Sequence, residues 1–138
     1  MLHVVCSVYN EDMRYLGIDF GSKRVGLALS DEDGRMAFPY TVLKNDKTLL
    51  SEVDRICKEQ KVKLMVVGES NDFKGEPNPI AVQIEEFKKA IEKLTRKKVE
   101  YEPEFLTSVQ AARWQGNVEK LDASAAAIIL QNYLDRKN

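Results

Sequence analysis

Residues 15–30 read Tyr15-Leu16-Gly17-Ile18-Asp19-Phe20-Gly21-Ser22-Lys23-Arg24-Val25-Gly26-Leu27-Ala28-Leu29-Ser30. Two short apolar runs flank a glycine-bearing turn, which predicts a β-hairpin. Asp31-Glu32-Asp33-Gly34 follows, with an Asp-Gly step that favours positive φ, and Met36 to Leu43 then reads as a third strand. The chain therefore opens as an antiparallel meander. One residue stands out in it. Strand alternation puts Ile18 and Phe20 on one face and Gly17 with Asp19 on the other, so an acid sits in the middle of an apolar strand. Burying a carboxylate without a partner is costly, so this position calls for a metal, a cation or a helix N-terminus beside it. A local ion pair with Lys23 or Arg24 would meet the same need.

Beyond the meander the apolar period changes. Leu49, Leu50, Val53, Ile56 and Cys57 fall on one face of a helix that Asn45 or Asp46 is placed to cap. Val62 to Val67 is a short strand of mostly β-branched and apolar residues, and a helix leading into such a strand implies a crossover and parallel pairing. A loop from Gly68 to Asn78 precedes a second helix beginning near Pro79, with a stripe of Ile80, Ile84, Phe87, Ile91 and Leu94. Val99 to Glu102 reads as a further parallel strand. A capping-box pattern at Thr107 to Gln110 opens a helix over roughly 108–115 ended by Gly116, and a last helix runs from about Leu121 to Asp135. Together these predict an α/β fold: a mixed five-stranded sheet in the order 3-2-1-4-5 with helices on both faces. Strands 1–3 are antiparallel and 1-4-5 parallel. The carboxyl ends of strands 1 and 4 then lie side by side, where ligands bind in such sheets.

The 138 residues, 43% hydrophobic and 31% charged, are the size of one ordinary domain, and no repeat or linker divides them. Residues 13–138 are expected to form it, after a leader of uncertain role over 1–12 that has neither a basic start nor a small-residue cleavage site. No apolar run is long enough to span a bilayer, so the expected location is cytoplasmic, without membrane association. A net charge of -1 means that any contact with a polyanion must come from a local patch. Cys6 and Cys57 lack metal-type spacing, and Cys57 is expected to be a buried, inert thiol. The single histidine, His3, lies in the leader, which leaves histidine triad or general-base chemistry without support.

Two further acids are candidate partners for Asp19. Glu104, with Glu102 two residues earlier, follows the fifth strand, and Asp122 sits in the first turn of the last helix, where helix-dipole capping would also explain it. Three carboxylates with no His or Cys suit Mg²⁺ or Mn²⁺, not zinc, and a cluster of this kind activates water against a phosphodiester. Two such ions would move the formal charge from -1 to about +3. Lys23 and Arg24 are placed to hold a phosphate next to Asp19. The run of six cations between Lys88 and Lys98 reads better as the solvated face and C-terminus of a helix, and Trp114 as a core residue.

Three stretches carry a resemblance: MRYLGIDFGSKRVGLALSD at 13–31, VKLMVVGES at 62–70 and KLDASAAAIILQNYLD at 120–135. Together they resemble the YqgF family, also called RuvX, of the RNase H-like superfamily. The resemblance implies an RNase H-like fold and a metal-dependent nuclease acting on pre-16S rRNA or as a Holliday junction resolvase. It also implies contact with a pre-ribosomal particle in the first case. Asp19, Glu104 and Asp122 match the family's catalytic acids, with Mg²⁺ or Mn²⁺ as cofactor, while Glu69, where the chain departs from the family, is either a supplementary ligand or a solvated acid. Lys23, Arg24, Thr107, Ser108 and Arg113 are the expected nucleic-acid contacts. The chain departs from the family motif Asp-Glu-Arg-Leu-Thr-Thr, since Pro103 replaces the Asp and Phe105 the Arg, and a ring cannot imitate a guanidinium. Glu69-Ser70 also replaces the usual Leu-Pro. A non-catalytic nucleic-acid or ribosome-assembly module on the same fold is therefore the alternative of another class. Asp19-Phe20-Gly21-Ser22 resembles the phosphate-binding hairpin of two-domain ATPases too, but a chain of this length lacks the second domain. Monomer and homodimer are both compatible, although a resolvase cutting two strands needs a symmetric dimer.

Overall fold

A computed structural model of the chain describes residues 13–69, 79–103 and 118–137, with side chains of the last segment described from Ala123 onward. Its elements are β1 (Arg14–Phe20), β2 (Arg24–Ser30), β3 (Ala37–Lys44), α1 (Leu49–Glu59), β4 (Val62–Gly68), α2 (Pro79–Thr95), β5 (Lys98–Glu102) and α3 (Val118–Lys137). The sheet order is β3-β2-β1-β4-β5, with β1 antiparallel to β2, β2 antiparallel to β3, and β1, β4 and β5 parallel, as the sequence predicts. The predicted helix over 108–115 lies outside the described residues, as do His3, Cys6, Trp114 and the loop 70–78.

The meander owes its shape to two turns. At the first, the Gly21 amide donates to the Arg24 carbonyl at 2.9 Å, and a Cβ at position 21 would meet that carbonyl oxygen at 2.6 Å, so the turn admits only glycine. At the second, Gly34 takes φ +70°, the conformation expected of the Asp-Gly step. Asp31 organises this turn by accepting the Arg35 amide at 2.9 Å. Ser30 beside it accepts the Tyr15 amide and donates to the Asp31 carbonyl, both at 2.8 Å. The Ser-Asp pair thus pins the start of β1 to the end of β2.

Two layers cover the sheet. On one face α1 and α2 bury Leu49, Val53, Ile56, Cys57, Ile84, Phe87 and Ile91 against Leu16, Ile18, Val25, Leu27, Met65 and Val67. Leu94 departs from its predicted stripe and is 50% exposed. It sits in the last turn of the helix, one residue before its end at Thr95, where the chain leaves for β5. The predicted cap of α1 is also corrected. Thr48 holds the cap position without a side-chain bond, while Asp46 accepts the Thr48 amide at 2.9 Å and its hydroxyl at 2.6 Å. Asn45 instead bridges to the first hairpin.

The other face belongs to α3, which packs Ala126, Ile129, Leu130 and Leu134 against Tyr15, Ala28 and Val66. Gln131 ties it to the edge of the meander, accepting the Ala37 amide at 2.9 Å and donating to the Arg35 carbonyl at 2.8 Å. The helix lies so close to β1 that a Cβ at Gly17 would stand 2.7 Å from Leu130 Cβ and 2.8 Å from the Ala126 carbonyl oxygen.

Two outcomes are expected. Gly17→Ala overpacks this contact and lowers stability by about 1–3 kcal/mol, read as a lower urea midpoint. The Arg35 amide foremost, with those of Met36 and Gly34, holds the Asp31 carboxyl below its usual 3.8. A carboxyl depressed on folding adds stability above that value and loses it as pH falls through the lowered one. Asp31→Ala is therefore less stable than the parent at neutral pH, and in unfolding curves the difference shrinks as pH drops below about 3.8.

Candidate active site

Asp19 lies one residue before the end of β1, and its residue surface is 8% exposed. Its place on the face of Gly17 turns it toward α3. Register defines its neighbours. Asp19 pairs with Gly26 of β2, which pairs with Val42 of β3. On the other side Ile18 pairs with Val67 and Gly68 with Glu102, so one step further along the parallel strands Asp19 comes level with Gly68 and then Glu102. A row Val42, Gly26, Asp19, Gly68, Glu102 therefore crosses the sheet at the carboxyl end of β1. Both neighbours of the aspartate in that row are glycines, which leaves backbone and no side chain on either side of it.

The second convergence comes from the direction of α3. The rings of Tyr15 and Tyr133 lie 6.0 Å apart, whereas two residues further up β1 Gly17 meets Leu130 and Ala126. Moving up the strand thus moves back along the helix, and the same step from Gly17 to Asp19 leads toward the first turns of α3. Asp122 occupies the helix one turn before Ala126; its side chain, like Glu104, Thr107, Ser108 and Arg113, lies outside what the structure describes.

Glu69 follows β4 directly, donates its amide to the Glu102 carbonyl at 2.8 Å and is exposed. Its charge acts on Tyr101, which packs against the α1–α2 core on the opposite face from Asp19. Lys23 is exposed in the first hairpin turn and Arg24 half-buried at the start of β2. The basic run of α2 behaves as a solvated helix face, with Lys88 bonded to Glu92 at 3.3 Å and Lys89 near Glu85 at 3.9 Å.

Glu102, named in the sequence only as the neighbour of Glu104, is the acid whose burial sequence reasoning did not foresee. It is 3% exposed, level with Asp19 and on the same face, and Arg136 of α3 binds its carboxylate. Burial pushes the Glu102 carboxyl up, and the guanidinium pulls it part of the way back. The alternation of Val99 and Tyr101 with Glu100 and Glu102 announces which face these acids share; only the packing of α3 shows that one of them is buried. Among the described residues no three His, Cys, Asp or Glu side chains come together to hold a metal ion. Asp19 and Glu102 are the described acids buried on this face.

Comparison with known proteins accords with this geometry. Residues 13–136 match the family model described as RuvX: Holliday junction resolvase. A Chloroflexus aggregans protein named "Putative pre-16S rRNA nuclease" is 35% identical over 132 residues, covering 88% of this chain and 93% of that protein. A Clostridium perfringens protein of the same name is 36% identical over 134 residues, covering 90% and 98%. Among solved structures, Thermus thermophilus RuvC in complex with a Holliday junction substrate superposes with a TM-score of 0.60 at 16% identity, over 91% of this chain and 95% of that one. The fowlpox virus resolvase with Holliday junction DNA gives 0.57 at 14% identity, over 91% and 99%. At such identities the two resolvases establish the shared RNase H-like fold. The sequence match over nearly all of residues 13–136 goes further: this chain belongs to the RuvX family.

Proposed function

We propose that the protein is a divalent-metal-dependent nuclease that hydrolyses phosphodiester bonds in structured RNA, with the precursor of 16S rRNA as its substrate. The observation that carries this reading is Asp19, a buried carboxylate at the end of the central strand, flanked in its row by glycines and approached by the start of α3. The names of relatives at 35–36% identity supply the RNA.

The donors fit a hard cation. Asp19 with Glu104 and Asp122 offers only carboxylate oxygen, the chemistry of Mg²⁺ or Mn²⁺. Glu104 follows Glu102 by two residues in the sequence. Glu69 is left out of this set because it is exposed, whereas Asp19 is buried. When bound, the ion would activate water and offset charge developing on the phosphodiester. The protein's own share is positional. Asp19 is held on a strand buried on both faces, and Lys23 in the adjoining turn and Arg24 at the start of β2 are proposed contacts for the nucleic-acid backbone. Thr107, Ser108 and Arg113 complete the proposed nucleic-acid contacts. The reading places the protein in the cytoplasm, working as a monomer on one RNA strand in a pre-ribosomal particle. Among the described residues, no helix is long and apolar enough to cross a membrane.

The family description favours a second reading, resolution of four-way DNA junctions, which requires a symmetric dimer. Solution mass measured with and without a junction separates the two. The decisive assay incubates labelled pre-16S leader RNA and a four-way junction with the protein in Mg²⁺ or Mn²⁺. RNA is expected to be cut, and Asp19→Asn to be slower by about a hundredfold or more, since metal assistance contributes several kcal/mol. Equal cleavage by the variant removes the mechanism. A protein that binds RNA without cutting it is the non-catalytic module that Phe105 raises as an alternative.

A further inference from the structure

An open depression of about 460 Å³ lies between the first hairpin turn and the segment that follows β3, lined by Ser22, Lys23, Arg24, Lys44, Asn45 and Asp46. Its cations are placed by register. Gly26 is the partner of Asp19, Arg24 lies two residues further along β2 on the same face, and Arg24 pairs with Lys44 of β3. Arg24 and Lys44 therefore stand side by side on the face of Asp19, one pleat nearer the open end. The backbone beneath them is locked. Asn45 donates its amide to the Lys23 carbonyl at 3.0 Å and its side-chain Nδ2 to the Gly21 carbonyl at 2.8 Å, which ties the first hairpin turn to the segment leading into α1. Asp46, the one acid of the lining, has its Oδ1 engaged by the Thr48 amide and hydroxyl. The lining thus carries Lys23, Arg24 and Lys44 against the single acid Asp46, whose carboxyl the bonds from Thr48 foremost, and the charge of Lys44 after them, hold below its usual range.

We propose that this depression is a second backbone-phosphate subsite, which takes a phosphate of the strand whose scissile group lies at Asp19, with Lys44 as its outermost cation. The identity of that strand rests on the nuclease reading. From β1 to β3 is two strand spacings, about 10 Å, so the nucleic acid runs from Asp19 across β2 toward the β3 edge. Lysine and arginine here grip charge, so the subsite sets register and direction without reading sequence. A free mononucleotide or inorganic phosphate offers the same chemistry without the strand, and the experiment separates them.

Binding of labelled single-stranded and hairpin RNA is measured against salt with Asp19→Asn protein, so that the RNA stays intact. Lys44→Gln and Lys23→Gln, each added to that background, are expected to weaken binding alike across sequences and to reduce the slope of log K against log salt by about 0.7–0.9 each. Lys93→Gln, which removes the same charge from α2, is expected to leave the slope as it was. An unchanged slope in Lys44→Gln, or an equal fall in Lys93→Gln, overturns the proposal. So does competition by phosphate or a mononucleotide at concentrations as low as those of the RNA. These slopes need no cleavage. Failure of the unsubstituted protein to cut RNA overturns the function and leaves the subsite standing, whereas loss of the slope effect overturns the subsite and leaves cleavage standing; absence of any RNA binding overturns both.

Discussion

The contact between Gly17 and the Ala126–Leu130 stretch of α3 governs the rest of the molecule. A Cβ at position 17 would come within 2.7 Å of Leu130, so the helix rests on the backbone of the central strand itself. That height lets Ala126, Ile129, Leu130 and Leu134 reach Ala28 on one side and Val66 on the other, closing the second layer of the core. It also sets the helix running against β1, so that its first turns arrive over the end of the strand where Asp19 lies. Glycine at position 17 is what lets the helix pack at that height.

Two buried acids on that face show how burial and charge divide. Asp19 has glycines beside it in the sheet. Glu102, at the same level, is taken up by Arg136, 34 residues away in sequence. Removing the arginine would leave a carboxylate buried at 3% exposure without its partner, and an uncompensated buried charge costs far more than an intact pair contributes. The pair is best understood as holding the end of α3 against β5.

Much of this architecture was legible in the chain. Alternation and turn chemistry identified the meander, the helical period identified α1 and α2, and the crossover rule ordered the sheet. Local periodicity fared worse where a helix end or a cap depends on its surroundings. Leu94 carries the right spacing but lies where α2 turns away to β5. Asn45 and Asp46 have capping chemistry, yet one is drawn to the hairpin backbone and the other to Thr48. The acids of the candidate site were visible as residue types at strand and helix ends. The burial of Glu102 was not, because nothing in VEYE marks an arginine on a helix 34 residues later as its partner.

By itself the sequence determined the strands and helices of the described residues and the face that strand side chains take, because these follow from periods of two and 3.6 residues. Only the tertiary structure decided what those faces meet: the closeness of α3 at Gly17, the row that sets Asp19 level with Glu102, and the pairing of Arg24 with Lys44 beside a bonded turn. These depend on strand register and on the height at which a helix packs, and both come from contacts between residues distant in the chain.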